Sequence, residues 1–235
     1  MTEQEWLKNN KLSLDIWNNK YRYNNETFEE WLDRVSGGNK KIRELIKAKK
    51  FLFGGRTLAN RGVEGSGSYS NCYSIGYVPD SLYGIMDVAT KIALTFKAQG
   101  GQGLSLSKIR PKGALINGKF KSDGIVPFMN IFNTVTESVS QGGSRKGALM
   151  MSIDANHPQA LDFITIKEDL NKINKANLSV EISDEFMANP NEEVFNAICE
   201  SSWRSAEPGV LFTDRLRNYN LMEFVDEYQI ETTNP

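Results

Sequence analysis

The chain has one histidine, His157, in 235 residues and two cysteines, Cys72 and Cys199. One histidine excludes a multi-histidine metal site and leaves a single possible base for a Ser-His-Asp triad. Two distant cysteines make neither a disulfide framework nor a metal-ligand cluster. Charge of one sign is missing too: 28 basic and 29 acidic residues leave a formal net charge of −1. That balance speaks against a general nucleic-acid or membrane-surface binder. No apolar run approaches the length of a membrane span. The start, Met1-Thr2-Glu3-Gln4-Glu5-Trp6, is too acidic for a signal peptide. A soluble, cytoplasmic protein that contacts neither nucleic acid nor membrane is the expectation.

What is present is enough apolar material for a core: 40% hydrophobic residues, with 12 Phe, 8 Tyr and 4 Trp. Between Asn25 and Val35 the residues Phe28, Trp31, Leu32 and Val35 recur at helical spacing, and Glu26, Glu29 and Glu30 lie near the helix start, where its dipole favours them. Gly37-Gly38-Asn39 breaks that helix. Lys40 to Lys49 reads as a second, basic helix with Ile42, Leu45 and Ile46 on one face. A small helical domain over 1–50 follows from this. Over 51–235 strand-like and helix-like segments alternate: strands at Cys72–Val78, Leu104–Ile109, Ala148–Ile153 and Ala176–Ile182, helices at Ser81–Phe96, Pro127–Val139 and Pro190–Ser205. Alternation of this kind predicts α/β architecture with mainly parallel strands. Gly54-Gly55-Arg56-Thr57, Gly62–Ser70 and Pro111–Ser122 read as loops.

Few residues here carry chemistry by themselves. Cys72 follows a loop of small residues, so its strand could open at an accessible edge, yet a lone strand cysteine is more often a small buried hydrophobe. Gly100-Gly101-Gln102-Gly103 follows a helix and precedes a strand, the reverse of the order a dinucleotide loop needs. It reads as a helix cap and turn, or as a place where backbone approaches a ligand closely. Gln141-Gly142-Gly143-Ser144-Arg145-Lys146-Gly147 combines small residues with two cations and could adapt around a nucleotide, with Arg145 reaching a base or phosphate. A solvated connection is the plainer reading. G-x-S-x-G is absent, so His157 reads as structural. Cys199 sits mid-helix near the apolar face and reads as core.

Taken in order, the segments are more specific. Arg56-Thr57-Leu58, Ser70-Asn71-Cys72, Gly101-Gln102-Gly103, Ile109-Arg110-Pro111-Lys112-Gly113, Ser140 to Ala148 and Asn234 together resemble the catalytic (alpha, large) subunit of ribonucleotide reductases. The resemblance covers essentially the whole chain. It implies an N-terminal helical domain followed by about half of a ten-stranded α/β barrel. In that family a T-N-P-C-G-E stretch supplies the radical cysteine, whereas this sequence closes on Thr232-Thr233-Asn234-Pro235. The chain alone is therefore expected to be inactive.

Carried over to this numbering, the resemblance implies that Thr57, Asn71, Cys72, Gly101 and Asn234 line the substrate pocket. Cys72 and Asn234 would be catalytic, Cys72 as half of a redox dithiol and Asn234 as a partner of substrate hydroxyls. Asp80, Ser81, Leu82, Arg110 and Ile116 would bind a nucleoside triphosphate effector. Gln141, Gly142, Gly143, Ser144 and Arg145 would form the loop that relays effector identity to substrate choice. No metal site and no cofactor bound by this segment alone are expected. The complete enzyme would use adenosylcobalamin or a di-metal radical subunit. Its partners would be the C-terminal remainder of the subunit, a ribonucleotide substrate, a deoxynucleotide effector, a thioredoxin- or glutaredoxin-type reductant and a second copy in a homodimer. Two other readings stay open: a non-catalytic nucleotide-binding module, and a degenerate gene fragment.

Overall fold

A computed structural model describes residues 2–141, 145–169, 171–222, 224–225 and 228–233. It divides into two compact units, Met1–Asn71 and Cys72–Pro235.

The described part of the first unit is helical: α1 (Glu3–Trp6), α2 (Lys11–Ile16) running into a π-helical turn (Trp17–Tyr21), α3 (Phe28–Ser36), α4 (Lys40–Lys47) and α5 (Gly55–Asn60). Thr27 caps α3 in a reciprocal box with Glu30, each side chain bonding the other's backbone N–H. Gly37 ends that helix at φ +62°, in the left-handed region where glycine carries no Cβ penalty. Trp17, Phe28, Trp31, Leu32, Val35, Ile46 and Leu58 form the core of this unit. Arg34 pins its outer layer: its Nη2 and Nε reach Glu26 at 2.7 and 2.9 Å, and its Nη1 donates to the Arg61 carbonyl at 2.6 Å. The expected loop at Gly54–Thr57 is corrected to the start of α5. The buried Leu58 draws that segment onto the aromatic core, and this packing outweighs the turn preference of the glycines.

The second unit is built on β1 (Cys72–Tyr77), α6 (Leu82–Lys97), β2 (Gly101–Ser105), the small hairpin β3 (Leu115–Ile116) and β4 (Phe120–Lys121), and α7 (Val126–Ser138). There follow the short pair β5 (Ser140–Gln141) and β6 (Arg145–Lys146), then β7 (Leu149–Asp154), α8 (Ala160–Thr165) with a 3-10 turn, β8 (Ala176–Ile182), α9 (Asp184–Ala188), α10 (Glu192–Ser205), β9 (Gly209–Phe212) and α11 (Thr213–Asn218). Five strands form one sheet in the order β1-β2-β7-β8-β9, and every neighbouring pair is parallel. A parallel pair needs a crossover, which the intervening helices supply.

Leu104, Leu149, Met151, Ile153, Leu178, Val180 and Ile182 point to one face of the sheet and pack with Ile85, Val88, Ile92 and Phe96 of α6, Met129 and Phe132 of α7, Phe163 of α8 and Ile198 of α10. Two local expectations are corrected. The strand expected at Leu104–Ile109 is Gly101–Ser105. The glycines are strand residues here, fully buried between two parallel neighbours, where ladder hydrogen bonds outweigh their flexibility. Cys199, expected in the core, is exposed. Val194, Ile198 and Ser201 hold the buried side of α10, and a helical step of about 100° per residue turns Cys199 away from Ile198.

Phe132 is 0% exposed in the core, while Trp203 on α10 is 86% exposed. Phe132→Ala is expected to cost about 3–5 kcal/mol, and Trp203→Ala about 0.5 kcal/mol or less. Urea midpoints of the two variants check this.

Candidate active site on the inner face of the sheet

The second face of the sheet follows from the two-residue alternation of strands. The parallel register places Cys72 beside Gly101, Ser74 beside Gly103 and Tyr77 beside Ser105, with a bulge between Ser74 and Gly76. Gly103 continues to Met150 and Ser105 to Ser152. Ser152 continues to Ser179, and Asp154 to Glu181. The face opposite the helices therefore carries a half-buried thiol at one end, glycines and hydroxyls in the middle and carboxylates at the other end. Its middle is shielded from solvent, where Ser105, Ser152, Ser179 and Glu181 are all buried, while Ser74 and Asn177 on the same face are exposed.

Glu181 organises the carboxylate end. The Ser152 hydroxyl lies 2.6 Å from its Oε1 and the Ser107 hydroxyl donates to its Oε2 at 3.1 Å. Ser105 stands 2.8 Å from Ser107, whose oxygen also accepts the Asp154 N–H at 2.8 Å. Burial pushes the Glu181 carboxyl above the usual carboxylate range; the hydroxyls of Ser152, Ser105 and Ser107 offset this in part, and Asp154 adds to it. Tyr77 is also raised, by burial and then by the nearby Glu181 charge, with Arg217 opposing. The segment 229–233 crosses this face. The Glu231 carboxylate accepts the Tyr77 N–H at 2.9 Å, Thr232 meets the Ser152 hydroxyl at 2.8 Å, and Thr233 Oγ1 lies 3.9 Å from Met150 Sδ.

The residues expected from the sequence fall in several places. Cys72 and Gly101 are direct neighbours at the N-terminal ends of β1 and β2. Thr57 lies half-buried in α5 of the first unit, and Asn71, the last residue of that unit, is exposed. Asp80, Ser81, Leu82, Arg110 and Ile116 gather in one neighbourhood. Arg110 Nε donates to Asp80 Oδ2 at 2.7 Å, and its Nη1 reaches the carbonyl of Leu115, next to Ile116, at 3.4 Å. Ser81 caps α6 by accepting the Gly84 N–H at 3.1 Å, and Leu82 is exposed. Of the loop residues, the backbones of Gln141 and Arg145 pair across an antiparallel turn, whereas Gly142, Gly143 and Ser144 lie outside the described residues, as does Asn234.

Sequence reasoning passed over Ser105, Ser152, Glu181 and Thr232. Their signal is the polar alternation Asn177, Ser179, Glu181 in β8, which reads as a solvent-facing strand edge. His157 also does more than fill space. Its Nδ1 accepts the Gln159 N–H at 3.1 Å, so Nε2 carries the proton donated to the Ile109 carbonyl at 2.8 Å. Gln159 Oε1 accepts from the N–H groups of both Lys112 and Ile125, at 3.0 and 3.1 Å. Together the two side chains clasp both stems of the β3–β4 excursion.

Because burial raises the Glu181 carboxyl, its stabilising contribution is complete below the ordinary carboxylate value of about 4.3 and is lost as pH rises through its raised folded value. Glu181→Gln should remove that slope. Relative to the wild type, its urea midpoint should improve from about pH 4 to about pH 8; parallel midpoint-against-pH curves would contradict the assignment.

Residues 70–192 match the family of the ribonucleotide reductase barrel domain. The chain is 32% identical over 89% of its length to a vitamin B12-dependent ribonucleoside-diphosphate reductase of Thermoplasma acidophilum, of which it covers 31%. It is 30% identical over 81% of its length to the protein of the same name in Mycobacterium tuberculosis, covering 30% of it. Among solved structures, the class Id ribonucleotide reductase alpha subunit of Actinobacillus ureae has the same fold over 100% of this chain and 46% of its own, with a TM-score of 0.85 at 20% identity. The chain thus spans about a third of the length of the curated relatives it matches. Among the described residues no helix is long and apolar enough to cross a membrane, and no group of three metal-ligating side chains occurs. The match over residues 70–192 and the parallel α/β sheet that carries Cys72 beside Gly101 place the chain in the ribonucleotide reductase large-subunit family.

Proposed function

We propose that this chain is the N-terminal part of a ribonucleotide reductase catalytic subunit and works only together with the C-terminal remainder. In this reading, residues 1–50 are a helical N-terminal region and 51–235 open a ten-stranded barrel of which the chain supplies about half. The observation that carries it is the register of Cys72 with Gly101, a thiol beside a residue with no side chain, on the face opposite the helices. A thiol needs such room to meet a sugar.

The chemistry then runs as follows. Reduction of the ribose 2′-position replaces C–OH by C–H, which takes two electrons and two protons and releases water. Cys72 and a second thiol from the remainder supply both as they form a disulfide; a thioredoxin- or glutaredoxin-type reductant restores the dithiol. In this reading the Cys72 thiol gives a proton to the leaving hydroxyl. Thr57, Asn71, Gly101 and Asn234 would contact the substrate, and Asn234 its hydroxyls. Asp80, Ser81, Leu82, Arg110 and Ile116 would hold a deoxynucleoside triphosphate effector, with the loop from Gln141 to Arg145 relaying its identity. What supports the effector assignment is the Asp80–Arg110 pair at the start of α6: an anionic ligand would share the guanidinium, whose fork suits phosphate. A homodimer and a cytoplasmic location belong to the same reading.

The relatives from Thermoplasma acidophilum and Mycobacterium tuberculosis are named as vitamin B12-dependent, so adenosylcobalamin is the proposed source of the radical in the complete enzyme. In this reading its binding belongs to the rest of the subunit.

The purified chain is expected to form no deoxynucleotide. Supplied with the remainder and a radical source it should turn over repeatedly, and Cys72→Ser should then stop turnover, while Cys199→Ser should leave it within about twofold. Wild-type turnover by the Cys72→Ser enzyme would refute the dithiol role. Arg110→Ala should weaken deoxynucleoside triphosphate binding to the assembled subunit about tenfold or more, read by calorimetry.

A further inference from the structure

The segment 229–233 is held at two points, and both depend on features unrelated to the dithiol. The first is the bulge of β1. Gly76 has φ +82°, and a Cβ there would stand 2.0 Å from Glu231 Oε2. The carboxylate therefore occupies the space that any side chain at position 76 would take, and from there it accepts the Tyr77 N–H. The second is a chain of hydroxyls. Ser152 has one hydroxyl proton and three neighbours: Glu181 Oε1 at 2.6 Å, Thr232 Oγ1 at 2.8 Å and the Leu104 carbonyl at 3.2 Å. Ser152 donates to Glu181 Oε1, the shortest of the three contacts. Ser152 then accepts from Thr232, so the hydrogen bonds run Thr232 to Ser152 to Glu181. Thr232 is 8% exposed and Ser152 0%, so water does not compete for these bonds.

The course of the segment gives these contacts a use. Thr232 meets Ser152, level with Ser105, and Thr233 meets Met150, level with Gly103. The segment therefore runs antiparallel to the strands, toward the row of Cys72 and Gly101. That row lies two strand residues beyond Gly103, roughly 7 Å.

We propose that Glu181, acting through Ser152, and the Gly76 bulge, acting through Glu231, seat the 229–233 segment on the inner face, over the rows of Ser105 and Gly103. Glu181 is thus a positioning residue. The inference rests on the reductase reading for its effect on turnover, but the seat itself can be tested without turnover.

The test is cleavage after Glu231 by a glutamate-specific endoproteinase, followed by mass spectrometry of the fragment that ends there. Thr232→Val and Glu181→Leu should each speed this cleavage at least tenfold. Glu181→Gln, whose amide oxygen still accepts from Ser152, should keep the wild-type rate. Thr232→Val leaves the core intact and decides the matter if Glu181→Leu does not fold. Cleavage of Thr232→Val at the wild-type rate overturns the seat. In the subunit completed with its remainder, Thr232→Val should lower kcat at least fivefold with little change in KM. Faster cleavage with unchanged kcat overturns the positioning role and leaves the reductase reading standing. A completed wild-type subunit that never turns over sinks the reductase reading, and the effect on turnover with it, while the cleavage rates still decide the seat.

Discussion

The parallel ladder from β1 through β2 to β7 is the constraint on which the rest depends. Parallel pairing joins strands only through crossovers, so it commits α6 and α7 to one face and leaves the other to backbone and small side chains. Its register also decides which residues share a row. A slip of one residue in β1 would turn Cys72 toward the helices and bring Tyr73 to the inner face. The β1 bulge lets Tyr77 rejoin the row of Ser105 while Gly76 keeps an open flank for Glu231.

The inner face is unusual in what it buries. A packed parallel sheet normally reads as continuous apolar strands on both faces. Here one face is apolar and the other holds Ser105, Ser152, Ser179 and Glu181 away from water. Such groups persist only when each finds a partner: Ser152 and Ser107 bond the Glu181 carboxylate, Ser105 pairs with Ser107, and Ser179 meets the Met150 sulfur. A buried carboxylate without donors would be costly. With Ser152 and Ser107 bonded to it, it becomes a fixed acceptor that orients its neighbours. The same network connects strands to the 229–233 segment, so the sheet and that segment are held by one set of bonds.

Beyond the C-terminal end of β2, the clasp of His157 and Gln159 shows a comparable economy. Two side chains from the short connection after β7 satisfy the carbonyl of Ile109 and the N–H groups of Lys112 and Ile125. They fix where the β3–β4 excursion leaves and re-enters the fold. Arg110, between those stems, is thereby held beside Asp80.

Several features were legible from local pattern alone because neighbouring residues cause them. The helix ending at Gly37-Gly38-Asn39, the helices α6 and α7 and the strand Ala176–Ile182 all rest on spacing within a few residues. The ordered set of segments also marked the family, since chemistry fixes which residue types recur and in what sequence. Tertiary packing decided what local pattern could not. It made strand residues of Gly101 and Gly103, because a parallel neighbour on each side supplies ladder bonds that no local propensity predicts. It made a helix of Gly55–Asn60, because Leu58 has an aromatic core to enter. It buried Glu181, whose alternation in β8 is the same as that of a solvent-facing residue. A strand pattern reports that two faces differ, but not which of them another part of the chain will cover. The partner that settles this, Thr232, lies 80 residues from Ser152 in sequence.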